Sequence, residues 1–245
     1  MGPLMKLRDE HLRSYVDDIR DIGLLRLLTW RGSDVAAAWI GAHEPATRSN
    51  DAELADLAKM NRDHYLYYRT LVERDCEHGG TALDVGCGTG HRTRMLARYF
   101  NRVVGIDTDL SKVSCAALLN TAQNIEWVGG DFRGMDKTPV RLFDYVFAVE
   151  IIEHVPLGEQ VGFMALLMER VAPGGALLMT TPRDRPPERN PPHIGLWDDE
   201  MAAIHAAAVG GALSYFNAGA LKNGSDNPIS DKEHATHYVL VAKRS

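Results

Sequence analysis

Two carboxylates and a histidine follow directly on an apolar segment of the chain. Residues 142–149 read LFDYVFAV, and Glu150, Glu153 and His154 come immediately afterwards. If a helical turn begins at Glu150, these three side chains lie on one face, with Cβ atoms roughly 5–6 Å apart. Such a set could bind a hard divalent cation, Mg²⁺ or Mn²⁺. Without a metal, His154 would act as a general base or orient a substrate, and we favour this second interpretation.

A glycine-rich loop nearer the N-terminus offers a place to bind a ligand. Residues 82–93 read ALDVGCGTGHRT, with Gly86, Gly88 and Gly90 at alternate positions after an apolar run that carries Asp84. Glycine permits a sharp turn and lets a ligand lie against bare backbone. The helix expected next points its N–H groups at the same place and favours a negatively charged ligand group. We therefore interpret the loop as a cofactor site, the alternative being a turn that merely joins strand to helix.

Two further acids follow the next predicted strands. Asp107 ends the buried run RVVGID, 21 residues after Gly86. This is close to the spacing of ~20 at which an acid accepts hydrogen bonds from the ribose hydroxyls of an adenosine-containing cofactor. Asp131 follows the strand predicted over 124–128, in the sequence GGDF. A helix cap for Asp107 and a plain loop position for Asp131 are the structural alternatives.

The spacing of the glycines separates two classes of cofactor. The dinucleotide fingerprint is G-x-G-x-x-G/A. Here the third glycine comes one residue early, and His91 stands where that fingerprint requires Gly or Ala. The sequence also lacks a recognisable Tyr-x-x-x-Lys pair. Both observations count against an NAD-dependent oxidoreductase.

The sequence LDVGCGTG resembles the first motif of class I (Rossmann-like) S-adenosylmethionine-dependent methyltransferases. The resemblance covers about residues 81–182 and the final strand pattern, and it implies S-adenosyl-L-methionine as the cofactor. Asp131 would then contact the adenine amino group, and Phe132 would lie near the adenine ring. The implied cofactor-binding residues are Asp84, Gly86, Cys87, Gly88, Gly90, Asp107, Thr108, Asp131, Phe132 and Glu150.

The Glu-x-x-Glu-His string is similar to one in two methyltransferase groups, the O-methyltransferases of ubiquinone biosynthesis and the enzymes that 2′-O-methylate small-RNA ends. In both groups it is associated with a divalent metal, which implies Glu150, Glu153 and His154 as ligands. The RNA enzymes use a further histidine, and His193 or His205 would supply it here. In metal-independent relatives with a similar string, the first acid touches the cofactor and the histidine packs or orients a substrate.

From Thr81 onwards the sequence alternates predicted strands and helices, which is typical of a parallel sheet. The resemblance implies an α/β fold: a Rossmann-like, doubly wound, seven-stranded and mostly parallel sheet with helices on both faces and an antiparallel last strand. Residues 1–80 show no strands and are predicted to form a helical cap or lid. Residues 81–245 would form the methyltransferase domain.

A proline-rich segment follows the fifth predicted strand. Residues 181–197 read TPRDRPPERNPPHIGLW, and proline at this density prevents regular structure. Because the segment leaves the carboxyl end of a strand, it should overhang the site. Arg183, His193 and Trp197 are therefore candidates for acceptor recognition, the alternative being a surface connector.

Composition excludes several classes of protein. No apolar run approaches the ~20 residues that span a bilayer, and three widely spaced cysteines suit no disulfide framework. We expect a soluble, cytoplasmic protein without membrane contact. The net charge of −6 and the absence of a basic stripe argue against nucleic acid.

The function predicted from these observations is methyl transfer from S-adenosyl-L-methionine to a small-molecule acceptor. We favour a hydroxyl as the acceptor group. A homodimer is compatible with this prediction. Three alternatives stay open: a metal-dependent RNA 2′-O-methyltransferase, an N-methyltransferase, and a catalytically silent, cofactor-binding partner subunit.

Overall fold

A computed structural model describes residues 68–119, 122–135, 141–183, 193–217 and 232–245. The strands are β1 (Thr81–Val85), β2 (Arg102–Asp107), β3 (Ile125–Gly129), β4 (Phe143–Val149), β5 (Val171–Pro182), β6 (Ala212–Phe216) and β7 (His237–Lys243). The helices are α1 (His91–Leu96), α2 (Leu110–Leu119), α3 (Leu157–Glu169) and α4 (Asp199–Ala208), with 3₁₀ turns at Phe132–Gly134 and Ile152–His154. A further helix, here called the leading helix, ends at residue 75.

All seven strands form one sheet in the order β3-β2-β1-β4-β5-β7-β6. Strands β1 to β5 run parallel, and β7 is antiparallel to both β5 and β6. The predicted fold class is therefore confirmed. The strand order reverses between β1 and β4, and the carboxyl ends of strands at such a reversal are where open α/β sheets bind ligands.

Helices cover both faces of the sheet, which explains why the central strands are apolar throughout. The leading helix and α1 pack on one face, around Phe147 and Val149, while α3 and α4 pack on the other, around Val146 and Ala148. Alternate residues of β4 thus enter two separate hydrophobic cores. The sheet holds the strand ends rigidly where the site lies.

Strand β5 and helix α1 differ most from their predicted lengths. The sequence predicts β5 only from Ala176, yet pairing with β4 begins at Val171, with an irregular register opposite residues 143–145. Gly175 allows this, because a Cβ there would lie 2.4 Å from the carbonyl oxygen of Asp144. Helix α1, predicted to reach Phe100, ends at Leu96.

The predicted N-terminal cap lies mostly outside the described residues, as do Tyr65 and Tyr67, and stays a prediction. The part that is described, the leading helix, buries Tyr68, Leu71 and Val72 against the sheet. Among the described residues, no helix is both long enough and apolar enough to cross a membrane.

Helix α4 begins with a group of ionic contacts centred on one carboxylate. The Asp198 side chain caps the helix by accepting from the Met201 N–H at 2.7 Å. At the next residue, Asp199 accepts from the Tyr238 hydroxyl at 2.8 Å and pairs with Lys232 at 2.9 Å and Arg183 at 3.2 Å. This Asp199 cluster joins α4, β7 and the end of β5.

Candidate functional site

The loop after β1 has three glycines in left-handed conformations, with φ of 69° at Gly86, 56° at Gly88 and 88° at Gly90. Two of them differ in what a side chain would meet. A Cβ on Gly86 would lie 2.0 Å from Cδ1 of Ile151, whereas one on Gly88 would have no atom within 4 Å. Gly86 therefore allows close packing, and Gly88 leaves its backbone open to a ligand.

Asp107 faces this loop from the end of β2. Its Oδ2 accepts from the Gly88 N–H at 2.8 Å, and its Oδ1 accepts from the Asp109 N–H at 2.9 Å. Each carboxylate oxygen keeps a second lone pair that can accept from a hydroxyl. Thr108, the next residue, is exposed. The arrangement suits the ribose contact that the sequence predicts for Asp107.

Leu110 is a site residue that the sequence interpretation did not single out. Its side chain is 63% exposed. It lies against the end of β3, because a Cβ on Gly129 would be 2.4 Å from Leu110 Cδ2. Gly129 is the register partner of Asp107. An exposed apolar side chain beside Asp107 suits the face of a flat ring. The signal in the sequence was a leucine three residues after a strand-ending acid.

Asp131 and Phe132 occupy different environments. Arg133 Nε lies 2.9 Å from Oδ1 and 2.7 Å from Oδ2 of Asp131, and this hydrogen bonding lowers the pKa of the Asp131 carboxyl. Phe132 is only 4% exposed and packs edge-on against Phe163, with ring centroids 5.3 Å apart. Asp131 is thus accessible at the strand ends, whereas Phe132 lies in the core, and its contact with the adenine ring stays a prediction.

Asp84 and Arg92 lie beneath the glycine loop. Asp84 is fully buried and accepts from the Thr93 hydroxyl at 2.6 Å; burial raises its pKa, against the opposing effect of Arg92. Arg92 donates to the carbonyl oxygens of Gly86 at 2.6 Å and Val149 at 2.8 Å, so it joins the ends of β1 and β4. Both side chains support the loop, and cofactor contact by Asp84 stays a prediction.

Cys87 lies within the same loop and is buried. Burial raises the pKa of its thiol above the ordinary value, with the nearby Asp84 and Asp107 charges adding to the effect. A thiol held in the neutral form is a poor nucleophile. Any cofactor contact by Cys87 would therefore be one of packing.

Glu150 follows β4 in a left-handed conformation, with φ of 55°, the one non-glycine residue of positive φ among those described. Its N–H donates to the Thr180 carbonyl at 3.0 Å, and its Oε1 accepts from the Thr180 hydroxyl at 2.8 Å. Its Oε2 is 3.6 Å from Nε2 of His237. The predicted helical turn from Glu150 is wrong, because the 3₁₀ turn begins at Ile152.

Glu153 lies on the opposite side of the sheet from Glu150. Its Oε2 accepts from the Thr181 hydroxyl at 3.3 Å, and successive residues of a strand point to opposite faces. Glu153 is fully buried, and no described residue hydrogen-bonds its Oε1. Burial, followed by the charge of Glu150, raises the pKa of Glu153 to about 8. The surroundings of Glu153 therefore favour its protonated form.

Glu153, His154 and His193 form a cluster, here called the Glu-His-His cluster. One ligand atom from each lies within 4.8 Å of the other two. The two imidazole rings are 5.0 Å apart and nearly perpendicular, at 76°. Glu150 is not a member, and His193 takes the place expected for it. The other candidate, His205, instead stacks on Trp197 at 4.7 Å.

Arg183 and Trp197, the other candidates from the proline-rich segment, have structural contacts. Arg183 belongs to the Asp199 cluster and lies over the Tyr238 ring. Trp197 is 2% exposed and enters the core beside α3 and α4. Of the three candidates, His193 alone joins the Glu-His-His cluster. Residues 184–192 lie outside the described part of the chain.

A family model described as "Methyltransferase domain" matches residues 82–175. This range contains the glycine loop, Asp107, Asp131 and the Glu-His-His residues Glu153 and His154, but not His193. The match therefore covers the glycine loop and two of the three members of the Glu-His-His cluster, and it leaves out the segment that follows β5.

Two curated relatives illustrate the range of similar proteins. The sterol 24-C-methyltransferase of Saccharomyces cerevisiae is 32% identical over 54% of this chain and 34% of its own length. A ubiquinone biosynthesis O-methyltransferase of Paramagnetospirillum magneticum is 32% identical over 62% of this chain and 60% of its own. The chain thus spans less than two thirds of the length of these relatives.

Among solved structures, the fold is similar to magnesium protoporphyrin IX methyltransferase from Synechocystis with bound S-adenosylmethionine. The TM-score is 0.58 at 16% identity, over 92% of this chain and 97% of that one. Similarity at this level of identity concerns the fold.

Proposed function

We propose that this chain, whose residues 82–175 match a family model described as "Methyltransferase domain", transfers a methyl group from S-adenosylmethionine to a hydroxyl of a small-molecule acceptor. The observation that carries the proposal is the open backbone of Gly88, held by Asp107 at the reversal of strand order. The Glu-His-His cluster lies after the neighbouring strand β4, where an acceptor would meet the cofactor.

The residues at the strand ends fit this cofactor. The exposed Leu110 and the carboxylate of Asp131 suit the adenine ring and its amino group, and Asp107 suits the ribose hydroxyls. The open Gly88 backbone leaves room for the methionine portion. Glu150, whose side chain accepts a hydrogen bond from Thr180, places a carboxylate directly after β4. A sulfonium cation would be stabilised there.

When bound, the cofactor would supply a methyl group on a sulfonium. The acceptor oxygen would form a bond to the methyl carbon as the carbon–sulfur bond breaks, and the sulfur would leave with the bonding pair. The protein's own contribution is to hold the acceptor in line, which can supply on the order of 7–11 kcal/mol. The exposed His154 imidazole takes the hydroxyl proton. General-base catalysis of this kind adds roughly 10²–10⁴-fold.

A second role for the Glu-His-His cluster is to hold a divalent cation. Its ligand atoms lie within 4.8 Å of one another, so small side-chain rotations would bring them to the separation of at most ~4.2 Å that two bonds of ~2.1 Å allow. Two imidazoles and one carboxylate suit Mn²⁺ or Zn²⁺ better than Mg²⁺, which prefers oxygen ligands. A cation there would lower the pKa of an acceptor hydroxyl in place of the base.

Support for oxygen as the acceptor atom comes from the exposed His154. A hydroxyl must lose its proton to a base, whereas an amine that is already neutral needs no base. The similar proteins are named as both O- and C-methyltransferases. Transfer to nitrogen, to carbon or to RNA, and cofactor binding without turnover, are therefore the alternatives that the experiment must separate. A cytoplasmic location and a homodimer belong to the proposal, and fractionation and light scattering test them.

The test is incubation of the protein with methyl-labelled S-adenosylmethionine and a fractionated extract of its source cell, with and without exhaustive chelation. Label in a small-molecule fraction, located on oxygen by NMR of the purified product and absent with His154→Ala, supports the proposal. Label on nitrogen or carbon overturns it. Label confined to RNA, or cofactor binding without label in any fraction, overturns it. Loss of label on chelation, restored by Mn²⁺, selects the metal role over the base role.

A further inference from the structure

Gln160 is a polar side chain buried in the core, on the inner face of α3. A buried carboxamide is unfavourable unless its hydrogen-bonding groups are satisfied. Here each of them is. The Gln160 Oε1 accepts from the indole N–H of Trp197 at 2.7 Å. The Nε2 donates to the carbonyl oxygens of Gly195 at 2.7 Å and of Ile152 and Val155 at 2.9 Å.

These contacts join two segments that are distant in sequence. Ile152 and Val155 bracket the 3₁₀ turn that carries Glu153 and His154, whereas Gly195 and Trp197 follow His193. The backbone adds two further bonds, since the N–H groups of Ile194 and Gly195 both donate to the Glu153 carbonyl at 2.9 Å.

The fit between the two segments is close. A Cβ on Gly195 would lie 2.1 Å from the Val155 carbonyl oxygen and 2.2 Å from Nε2 of Gln160. Any larger residue would therefore push residues 193–197 away from the turn. His193 sits two residues before Gly195, so its distance from His154 depends on this contact.

We propose that Gln160 is a positioning residue that fixes His193 against Glu153 and His154. The inference rests on the proposed function, in which that cluster carries the chemistry. Gln160 itself touches neither imidazole in the contacts described above, and it acts through the backbone on both sides. Removing its carboxamide should loosen the cluster while leaving the Asp107 side of the cofactor site in place.

The main variant is Gln160→Met, which keeps the length of the side chain and removes its hydrogen bonds. The matched control is Leu167→Ala, which opens a cavity on the same buried face of α3 and removes no hydrogen bond to either segment. We expect kcat to fall about 10- to 100-fold for Gln160→Met and less than about twofold for the control, at a temperature where both are folded. The Kd for S-adenosylmethionine should be unchanged in both.

A double-mutant cycle separates positioning from general destabilisation. Gln160→Met should lower kcat no further in a His193→Ala background, because the residue it positions is already gone. Equal kcat losses in Gln160→Met and Leu167→Ala, or additive losses in the double variant, overturn the proposal. If Gln160→Met does not fold, Trp197→Phe takes its place; it removes the indole N–H together with part of the ring, and Leu167→Ala controls for the cavity.

Amide hydrogen exchange provides a measurement that does not depend on turnover. In Gln160→Met the Ile194 and Gly195 amides should lose protection, whereas amides of β4 should keep theirs. If the wild-type protein shows no methyl transfer but this pattern holds, the proposed function has failed and the positioning role stands. Unchanged protection at Ile194 and Gly195 overturns the positioning role whatever the activity.

Discussion

Glu150 and Thr180 are joined by two hydrogen bonds, one between their backbones at 3.0 Å and one between their side chains at 2.8 Å. Together they hold a glutamate in a conformation that ordinarily costs on the order of 1–3 kcal/mol. These two bonds therefore fix the orientation of the Glu150 carboxylate before any ligand binds.

Replacing Thr180 with valine keeps the shape of the side chain and removes the donor to Glu150. We expect the Kd for S-adenosylmethionine to rise about 3- to 10-fold, the usual net value of one hydrogen bond. Isothermal titration calorimetry measures it. Thr181→Val is the matched control, since that hydroxyl donates to Glu153 on the other face, and its Kd should stay within twofold. Equal effects in the two variants would contradict the proposed role of Glu150.

Alanine at Gly88 should separate binding from folding. The methyl group meets no atom within 4 Å, so the loss of stability is limited to left-handed strain of about 1–2 kcal/mol. The methyl nevertheless occupies the face that we assign to the cofactor, and cofactor binding should fall at least tenfold. Thermal unfolding and calorimetry on one preparation measure both quantities.

Gly86→Ala provides the contrasting case, because its methyl would lie 2.0 Å from Ile151. This variant should lose more stability than Gly88→Ala, since Ile151 must move as well. A Gly88→Ala protein that binds the cofactor normally would show that the cofactor does not approach the loop there.

The stability of the protein should depend on the protonation of Glu153. Its pKa is about 8 in the folded protein and near the ordinary 4.5 when the chain is unfolded. Because the folded state keeps the proton over this range, stability falls as pH rises from about 4.5 to about 8 and then levels. Glu153→Gln cannot ionise. The unfolding temperature of the variant minus that of wild type should therefore increase as the pH is raised from about 5 to about 9. The exposed Glu233→Gln is the control, and a parallel shift in both variants would refute this account.

Measurements of metal binding can distinguish the Glu-His-His cluster from the ligand set predicted from the sequence, which contains Glu150 in place of His193. Mn²⁺ added to the protein should bind more than about tenfold more weakly to His193→Ala than to wild type. Glu150→Gln should bind Mn²⁺ normally, because Glu150 is not part of the Glu-His-His cluster. Weakened binding in Glu150→Gln with normal binding in His193→Ala would restore the ligand set expected from sequence. No binding by wild type would leave His154 to act as a base alone.

Local sequence patterns predicted the fold and the sharp glycine turn after β1. Strands β1 to β4 end in an acid or a glycine or directly before one, and Gly86, Gly88 and Gly90 adopt positive φ in the sharp turn that their spacing predicts. Asp107 meets the loop because parallel neighbours bring their carboxyl ends together. Such features depend on residues close in sequence or on the sheet order alone.

The rest of the site depends on contacts that a linear pattern does not reveal. Nothing in the residue type indicates that Glu150 is left-handed, and that one conformation sends Glu150 and Glu153 to opposite faces of the sheet. His193 reaches His154 through Gln160 and Gly195, whose roles appear only once α3 is packed. Phe132 packs edge-on against Phe163, a contact between distant parts of the chain, and its predicted place near the adenine ring stays a prediction.

The Asp199 cluster has a consequence for how this enzyme class could be redesigned. Arg183 immediately precedes the segment 184–192, and Lys232 immediately follows the segment 218–231; both are tied to the same carboxylate at the start of α4. Foreign loops could therefore be grafted between fixed anchor points, with Arg183, Lys232 and Asp199 retained as the junction.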